Sequence, residues 1–294
     1  MSKSAILSSS IAKKYWMSLT GLFLCLFLVG HLLGNLQLIM KTGEEGQRAF
    51  NEYAYFMTHN PLIKVMSYLT YFSIIFHAID GILLTIQNKK ARPQKYANNK
   101  PSTNSSLPSR YMAILGTLVL VFISTHMASF WWKMKYSSDP LPLHKVYIQD
   151  KENGGNAEAL YLTQSGNFFP VSAFEDNEQQ PAQMMIKNGI EFYNKQVDIK
   201  MGEGYKDLHG LVMSFFGKRK EGFDSNPYAG LAVAFYVLSM GILAFHLWHG
   251  FASGFQSLGL RSKKYVQGIT MFGKAFAIIV PALFALIPII IYLF

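Results

Sequence analysis

Five stretches of twenty or more mostly apolar residues recur along the chain, near 15–40, 61–87, 111–132, 227–256 and 268–294. Each is long enough to cross a hydrocarbon core of roughly 30 Å at about 1.5 Å per residue. Inside a bilayer no water is available to the backbone, so each stretch must satisfy its own N–H and C=O groups and is expected to be a helix. The first stretch is read as the first of five spans rather than a removable signal. It is long, lacks a small-residue cleavage site, and is followed by four segments like it. The expected fold is an all-α membrane protein of five transmembrane helices with an extra outer-side insertion of mixed structure.

The net charge of +10 would suit nucleic acid, but its distribution describes membrane topology instead. Lys3, Lys13 and Lys14 lie before the first span. Lys89, Lys90, Arg92, Lys95, Lys100 and Arg110 follow the second, and Arg261, Lys263 and Lys264 follow the fourth. No acid occurs in those three segments, and every acid except Asp80 falls in the other two connections. Positive residues mark the cytoplasmic side, so the N-terminus is expected in the cytoplasm and the C-terminus outside. Tyr15, Trp16, Tyr111, Trp131, Trp132 and Tyr292 near span ends fit an aromatic belt.

Three parts follow: 1–132, the N-terminal arm and spans I–III; 133–226, the outer insertion; and 227–294, spans IV and V. Residues 41–60 are expected to be an outer loop and 88–110 a flexible cytoplasmic one. In the insertion, the runs from His144 and from Ala159 flank Asn153-Gly154-Gly155 and read as a hairpin. Residues 182–196 and 205–217 read as short helices. The insertion shows no catalytic constellation and is read as a cap on the bundle. A single cysteine, Cys25, excludes a disulfide framework, cysteine-ligated iron–sulfur clusters and covalent haem of the Cys-x-x-Cys-His kind.

The histidines carry the functional reading. His59, His144 and His209 fall in outer connections, where exposed structural roles are expected. His31, His77, His126, His246 and His249 lie inside spans, where a polar side chain is costly. His31 follows Tyr15 by 16 residues and His126 follows Tyr111 by 15, which places them about 24 and 22 Å from the inner edge. His77 and His246 each precede an inner-end glutamine, Gln87 or Gln256, by ten residues, about 15 Å from that edge. Two layers result: His31 with His126 in the outer half, and His77 with His246 in the inner half. Two imidazoles at one depth on neighbouring helices can hold one haem iron from both faces. Structural zinc wants four ligands at one point, which paired histidines do not supply. Gly81 and Gly250, four residues after His77 and His246, would leave room for a flat macrocycle. His249 is the rival of His246 but lies shallower. It could instead bond a propionate or a quinone oxygen. Asp80, the one acid within a span, reads either as a proton relay or as an interfacial acid paired with a cation.

With these histidines placed, the chain resembles the single-anchor, dihaem b558-type cytochrome b subunit of succinate dehydrogenases and quinol:fumarate reductases. The matching pieces are Ser18-Leu-Thr-Gly21 leading to His31, Phe76-His-Ala-Ile-Asp-Gly81, Ser124-Thr-His126-Met, and Phe245-His-Leu-Trp-His-Gly250 leading to Gln256-Ser-Leu-Gly259. The resemblance covers roughly 12–132 and 205–294. It implies two haem b groups with His31, His126, His77 and His246 as axial ligands, and quinone, menaquinone for this subtype, as the membrane substrate. It implies a flavoprotein subunit carrying FAD and an iron–sulfur subunit on the cytoplasmic face of a bacterial inner membrane, with dicarboxylate chemistry outside this chain. The complex could form a higher oligomer. The insertion, roughly 137–204, departs from the family. So does Ala244, where some fumarate-reducing members carry a glutamate, and this points toward succinate oxidation. The alternatives are the cytochrome b anchor of a hydrogenase or formate dehydrogenase, and a transporter or assembly factor without cofactor.

Overall fold

The computed structural model describes residues 9–91, 106–137, 140–148, 158–176, 181–260 and 262–294. Of the loop expected over 88–110, residues 92–105 lie outside this set, as does the expected turn at Asn153-Gly154-Gly155. The helices are α1 (Ser10–Met40), α2 (Gly43–His59), α3 (Pro61–Lys90), α4 (Leu107–Arg110), α5 (Met112–Met127), α6 (Lys133–Tyr136), α7 (Leu208–Phe215), α8 (Ala229–Ser257) and α9 (Val266–Leu293). A π turn, Ala128–Trp132, joins α5 to α6, and a 3₁₀ turn spans Val171–Phe174. Five helical segments are long and apolar enough to cross a membrane: α1, α3, Met112–Tyr136, α8 and α9. The chain is a multi-pass membrane protein on that ground.

It divides into two compact units: Met1–Leu36 with Pro61–Thr125 and Gly230–Phe294, and Gln37–Asn60 with His126–Ala229. The first unit packs around Cys25, Met240, Leu243, Leu247, Phe251 and Ala277, with Leu22, Val119 and Phe122 against them. Small residues let its helices approach: a Cβ on Gly273 would stand 2.6 Å from the Phe251 ring, and one on Gly254 would stand 3.3 Å from Leu22. Its hydroxyls bond back into their own helices. Thr70 donates to Met66 O at 2.9 Å, Thr117 to Ala113 O at 2.9 Å and Ser124 to Leu120 O at 2.9 Å. That satisfies them where lipid offers no partner.

The second unit departs from expectation in two places. Residues 41–60 are not a loop, since 43–59 form α2. Its buried face is Gly46, Phe50, Asn51 and Ala54, at helical spacing, and it packs on α7. Glu44 and Glu45 occupy its first turn, where the helix dipole favours acids. Arg48 pairs with Glu52 one turn on at 2.8 Å. Residues 182–196 are not helical either. They form β4 (Met184–Lys187) and β5 (Glu191–Asn194), an antiparallel hairpin that β6 (Lys200–Glu203) extends. Its turn contains Asn188 and Gly189 at φ of 52° and 74°, a left-handed stretch that Asn-Gly accommodates at low cost. The hairpin expected from His144 onward is present: β1 (Lys145–Ile148) pairs antiparallel with β2 (Glu158–Leu162), and β3 (Phe168–Pro170) completes that sheet. The helix expected over 205–217 is α7.

The two small sheets share one core. Phe192, 0% exposed, packs against Tyr161, Phe169 and Phe174 with ring centroids 4.9–5.9 Å apart. Gly204 lies beneath it, where an added Cβ would meet the ring at 2.8 Å. Phe192→Ala is expected to cost these sheets about 3–5 kcal/mol by opening a cavity. Hydrogen exchange should report the loss in β2, β5 and β6 while α8 and α9 keep their protection. Unchanged exchange in the sheets would contradict this packing.

Candidate functional site

The first unit brings His77, on α3, together with His246, on α8. Their ring centroids stand 6.2 Å apart with the ring planes at 70°. An imidazole nitrogen sits about 2.0 Å from a ligated metal and roughly 1.1 Å from its own ring centre, so two rings sharing one metal axially stand about 6.2 Å apart. The observed separation matches that distance, which an ordinary edge-on contact of two rings also gives.

The backbone prepares this position. The Nδ1 of His77 lies 3.0 Å from the carbonyl of Met17 in α1 and donates to it, which leaves Nε2 as the lone-pair nitrogen. Thr20 stands 3.4 Å from the same Nδ1 and donates its own proton to Trp16 O at 2.8 Å. Glycines of two helices flank the pair. A Cβ on Gly21 would stand 2.9 Å from His77 Cε1, and one on Gly116 would stand 3.5 Å from His246 Cε1. A Cβ on Gly81, one turn after His77, would meet nothing within 4 Å, so space is open there; one on Gly250 would meet Met112 at 3.4 Å. The Nδ1 of His246 is buried and makes no hydrogen bond among the described residues. An orphaned buried nitrogen costs about 1–3 kcal/mol, a cost that a ligand taken at that nitrogen would remove. Those donors suit the axial positions of a haem iron.

The ring that meets His77 is that of His246. His249, three residues on, is half-buried. Asp80, also half-buried, follows His77 by three residues on the same face of α3. His31 lies in the first unit, stacked on Phe27 at 5.3 Å and tilted against Phe284 at 5.7 Å. Asn35, one turn later, donates to His31 O at 2.8 Å. His126 belongs to the second unit, next to the end of α5, with its ring edge-on to Phe130 at 5.4 Å. Phe130 sits in the π turn and meets Phe215 at 5.0 Å. Single π turns inside α-helices recur at functional positions, and no residue pattern in the sequence announces this one. Among the described residues there is no group of three or more His, Cys, Asp or Glu placed to hold a metal ion.

The outer histidines correct the sequence reading. His59 is exposed, but His144 and His209 are only 1% and 4% exposed. Both belong to a polar knot with Glu44, Gln47, Asn51 and Asp207. Burial holds His144 below the ordinary histidine range, opposed by the carboxylates of Glu44 and Asp207. Burial pushes His209 down to about 4, with Lys220 adding to the shift. The knot could not be read from sequence because its members are spread over more than 160 positions. The one available cue was a pair of histidines in a segment rich in strand-forming residues.

No family model, curated protein or solved structure matches the chain. The geometry beside His77 can be tested directly. Gly21→Ala should push the His77 ring off the Met17 carbonyl and destabilise the helical bundle by about 1–3 kcal/mol. Gly30→Ala, whose Cβ would meet nothing within 4 Å, should be neutral. Thermal unfolding in detergent separates the two, and equal midpoints would rule out the close approach at Gly21.

Proposed function

We propose that this chain is the membrane anchor and electron-transfer subunit of a succinate:quinone oxidoreductase, a dihaem cytochrome b. The observation that carries the reading is the His77–His246 pair. Two imidazoles from different membrane-crossing helices meet with ring centroids 6.2 Å apart, one of them already oriented by a backbone carbonyl. The inner haem would be held by His77 and His246; the outer ligands, His31 and His126, are carried by the resemblance alone. Such a group, held by two histidines, would supply one-electron transfer.

The chain's own residues have distinct tasks in this reading. Met17 and Thr20 fix the tautomer and direction of the His77 ring. Gly21 and Gly116 let neighbouring helices approach the two rings closely. The apolar walls of the spans keep water from the electron path. Asp80, beside His77, can take up and release a proton near the inner face, where quinone chemistry needs one. The basic segments after spans II and IV face the cytoplasm. There they would receive an iron–sulfur subunit and its flavoprotein partner, in the inner membrane of a bacterium. Dicarboxylate chemistry stays on those partners, and the quinone, menaquinone by the resemblance, is reduced in or beside this chain.

The test is optical. The purified chain should show a reduced-minus-oxidised spectrum with a b-type alpha band and two haems per chain by pyridine haemochrome. His77→Ala and His246→Ala should each lower the count to one, whereas His249→Ala should retain two. A colourless preparation would end the cytochrome reading. Loss of haem on His249→Ala with retention on His246→Ala would transfer the ligand role to His249. Co-purification of a flavoprotein tests the succinate assignment separately.

A further inference from the structure

The polar knot of the second unit has donor and acceptor roles that are fixed at nearly every atom. Asn51 Oδ1 accepts the backbone N–H of His209 at 2.9 Å, so the two ends of this amide cannot be exchanged. Its Nδ2 donates to Asp207 Oδ1 at 2.8 Å and lies 3.3 Å from His144 Nδ1. Asp207 is itself pinned, accepting from Gly210 N–H at 2.8 Å and from Gln47 Nε2 at 3.0 Å. The amide therefore presents hydrogen to both Asp207 and His144, and His144 Nδ1 must be an acceptor. The ring proton is then on Nε2, which faces Glu44 Oε1 at 3.0 Å in a charge contact rather than a well-aligned hydrogen bond. His144 is neutral in this arrangement.

A second proton on His144 would turn Nδ1 from acceptor to donor, aimed at an N–H group that cannot rotate away without losing Asp207 and the His209 backbone. The contact between α2 and the start of α7 would be broken. We infer that Glu44, Asn51, His144 and Asp207 form an acid-released latch, which ties α2 to the Asp207–Gly210 turn while His144 is neutral and opens when that ring is protonated. The inference does not rest on the cytochrome reading.

The geometry distinguishes a latch from a proton relay. The Glu44 side chain is 45% exposed and the His144 side chain 0%, so a proton from solvent reaches the ring through Glu44. Beyond His144 stands an amide, which does not carry a proton onward, so the proton stops at the ring. The charged and titratable groups facing it are Glu44 and Arg48 from α2 and Asp207 and His209 from the α7 side, with Lys220 beyond His209. The carboxylates favour the imidazolium, while Arg48 and burial oppose it, and burial is the larger effect. The folded protein thus binds this proton more weakly than the unfolded chain. The latch is fully closed above the ordinary histidine pKa of about 6.5 and weakens as pH falls below it.

Hydrogen–deuterium exchange on the full-length protein in nanodiscs tests this, with intrinsic rates corrected for pH. Opening of 43–59 and 205–216 should increase about tenfold per pH unit below roughly 6.5, the signature of one proton. His144→Gln should abolish that slope. Glu44→Gln, which removes a carboxylate favouring the imidazolium in the closed state, should leave the onset near 6.5 and carry the slope on to lower pH. Should His144→Gln fail to fold, the Glu44→Gln extension of the slope decides alone. A wild-type protein with no slope, a slope that survives His144→Gln, a slope whose lower end is unmoved by Glu44→Gln, or a slope that disappears in His209→Gln instead would overturn the latch.

Discussion

A bilayer offers its proteins no water to bond, and that constraint organises most of this chain. Each of the five spans is a helix, so the amides of its interior turns close within the segment. The hydroxyls of Thr70, Thr117 and Ser124 fold back onto carbonyls four residues earlier. Pro281 and Pro288 sit inside α9, where the helix bundle tolerates them. In such a medium a histidine is an expense the chain carries for a purpose. His77 answers with a carbonyl from a neighbouring helix, and His246 leaves its Nδ1 unanswered among the described residues.

The contact between His77 and Met17 ties the site to the fold. It crosses from α3 to α1 and sets the ring's tautomer without any bound group. Gly21, one turn along α1 from Met17, is what lets the two helices approach closely enough. A ligand site oriented by its own scaffold loses little conformational freedom when filled, which is the general advantage of preorganisation. The proposed electron-transfer role draws its support from this arrangement.

The second unit solves a different problem. Its two three-stranded sheets are small, and their core depends on a few aromatic side chains around Phe192. Helix α2 is amphipathic rather than apolar, and its buried face carries Asn51, a polar residue that must be fully bonded if it is to be buried. It is: three partners on α7, its leading turn and His144 occupy its amide. A buried polar network with nearly every role assigned specifies one docking geometry, and the same rigidity makes it intolerant of an added proton.

What the amino-acid sequence determined by itself was everything with a short period or a long apolar run: five spans, the strands at 145–148 and 158–162, and the helix over 208–215. These follow from local chemistry, because lipid or a sheet face selects residues at fixed spacing. It also placed His77 and His246 at one depth, since helical rise converts residue number into distance. Tertiary structure alone decided the rest. Residues 43–59 form a helix because Gly46, Phe50, Asn51 and Ala54 find a surface to bury against, and polar residues around them hid that face. Residues 184–194 form a hairpin because Phe192 is needed in a core shared by two sheets, although the Asn188-Gly189 turn was there to be read. His144 and His209 are buried because partners far away in the chain supply the bonds that water would otherwise make. Which ring meets which, and at what angle, depends on how whole helices pack, and no local pattern encodes that.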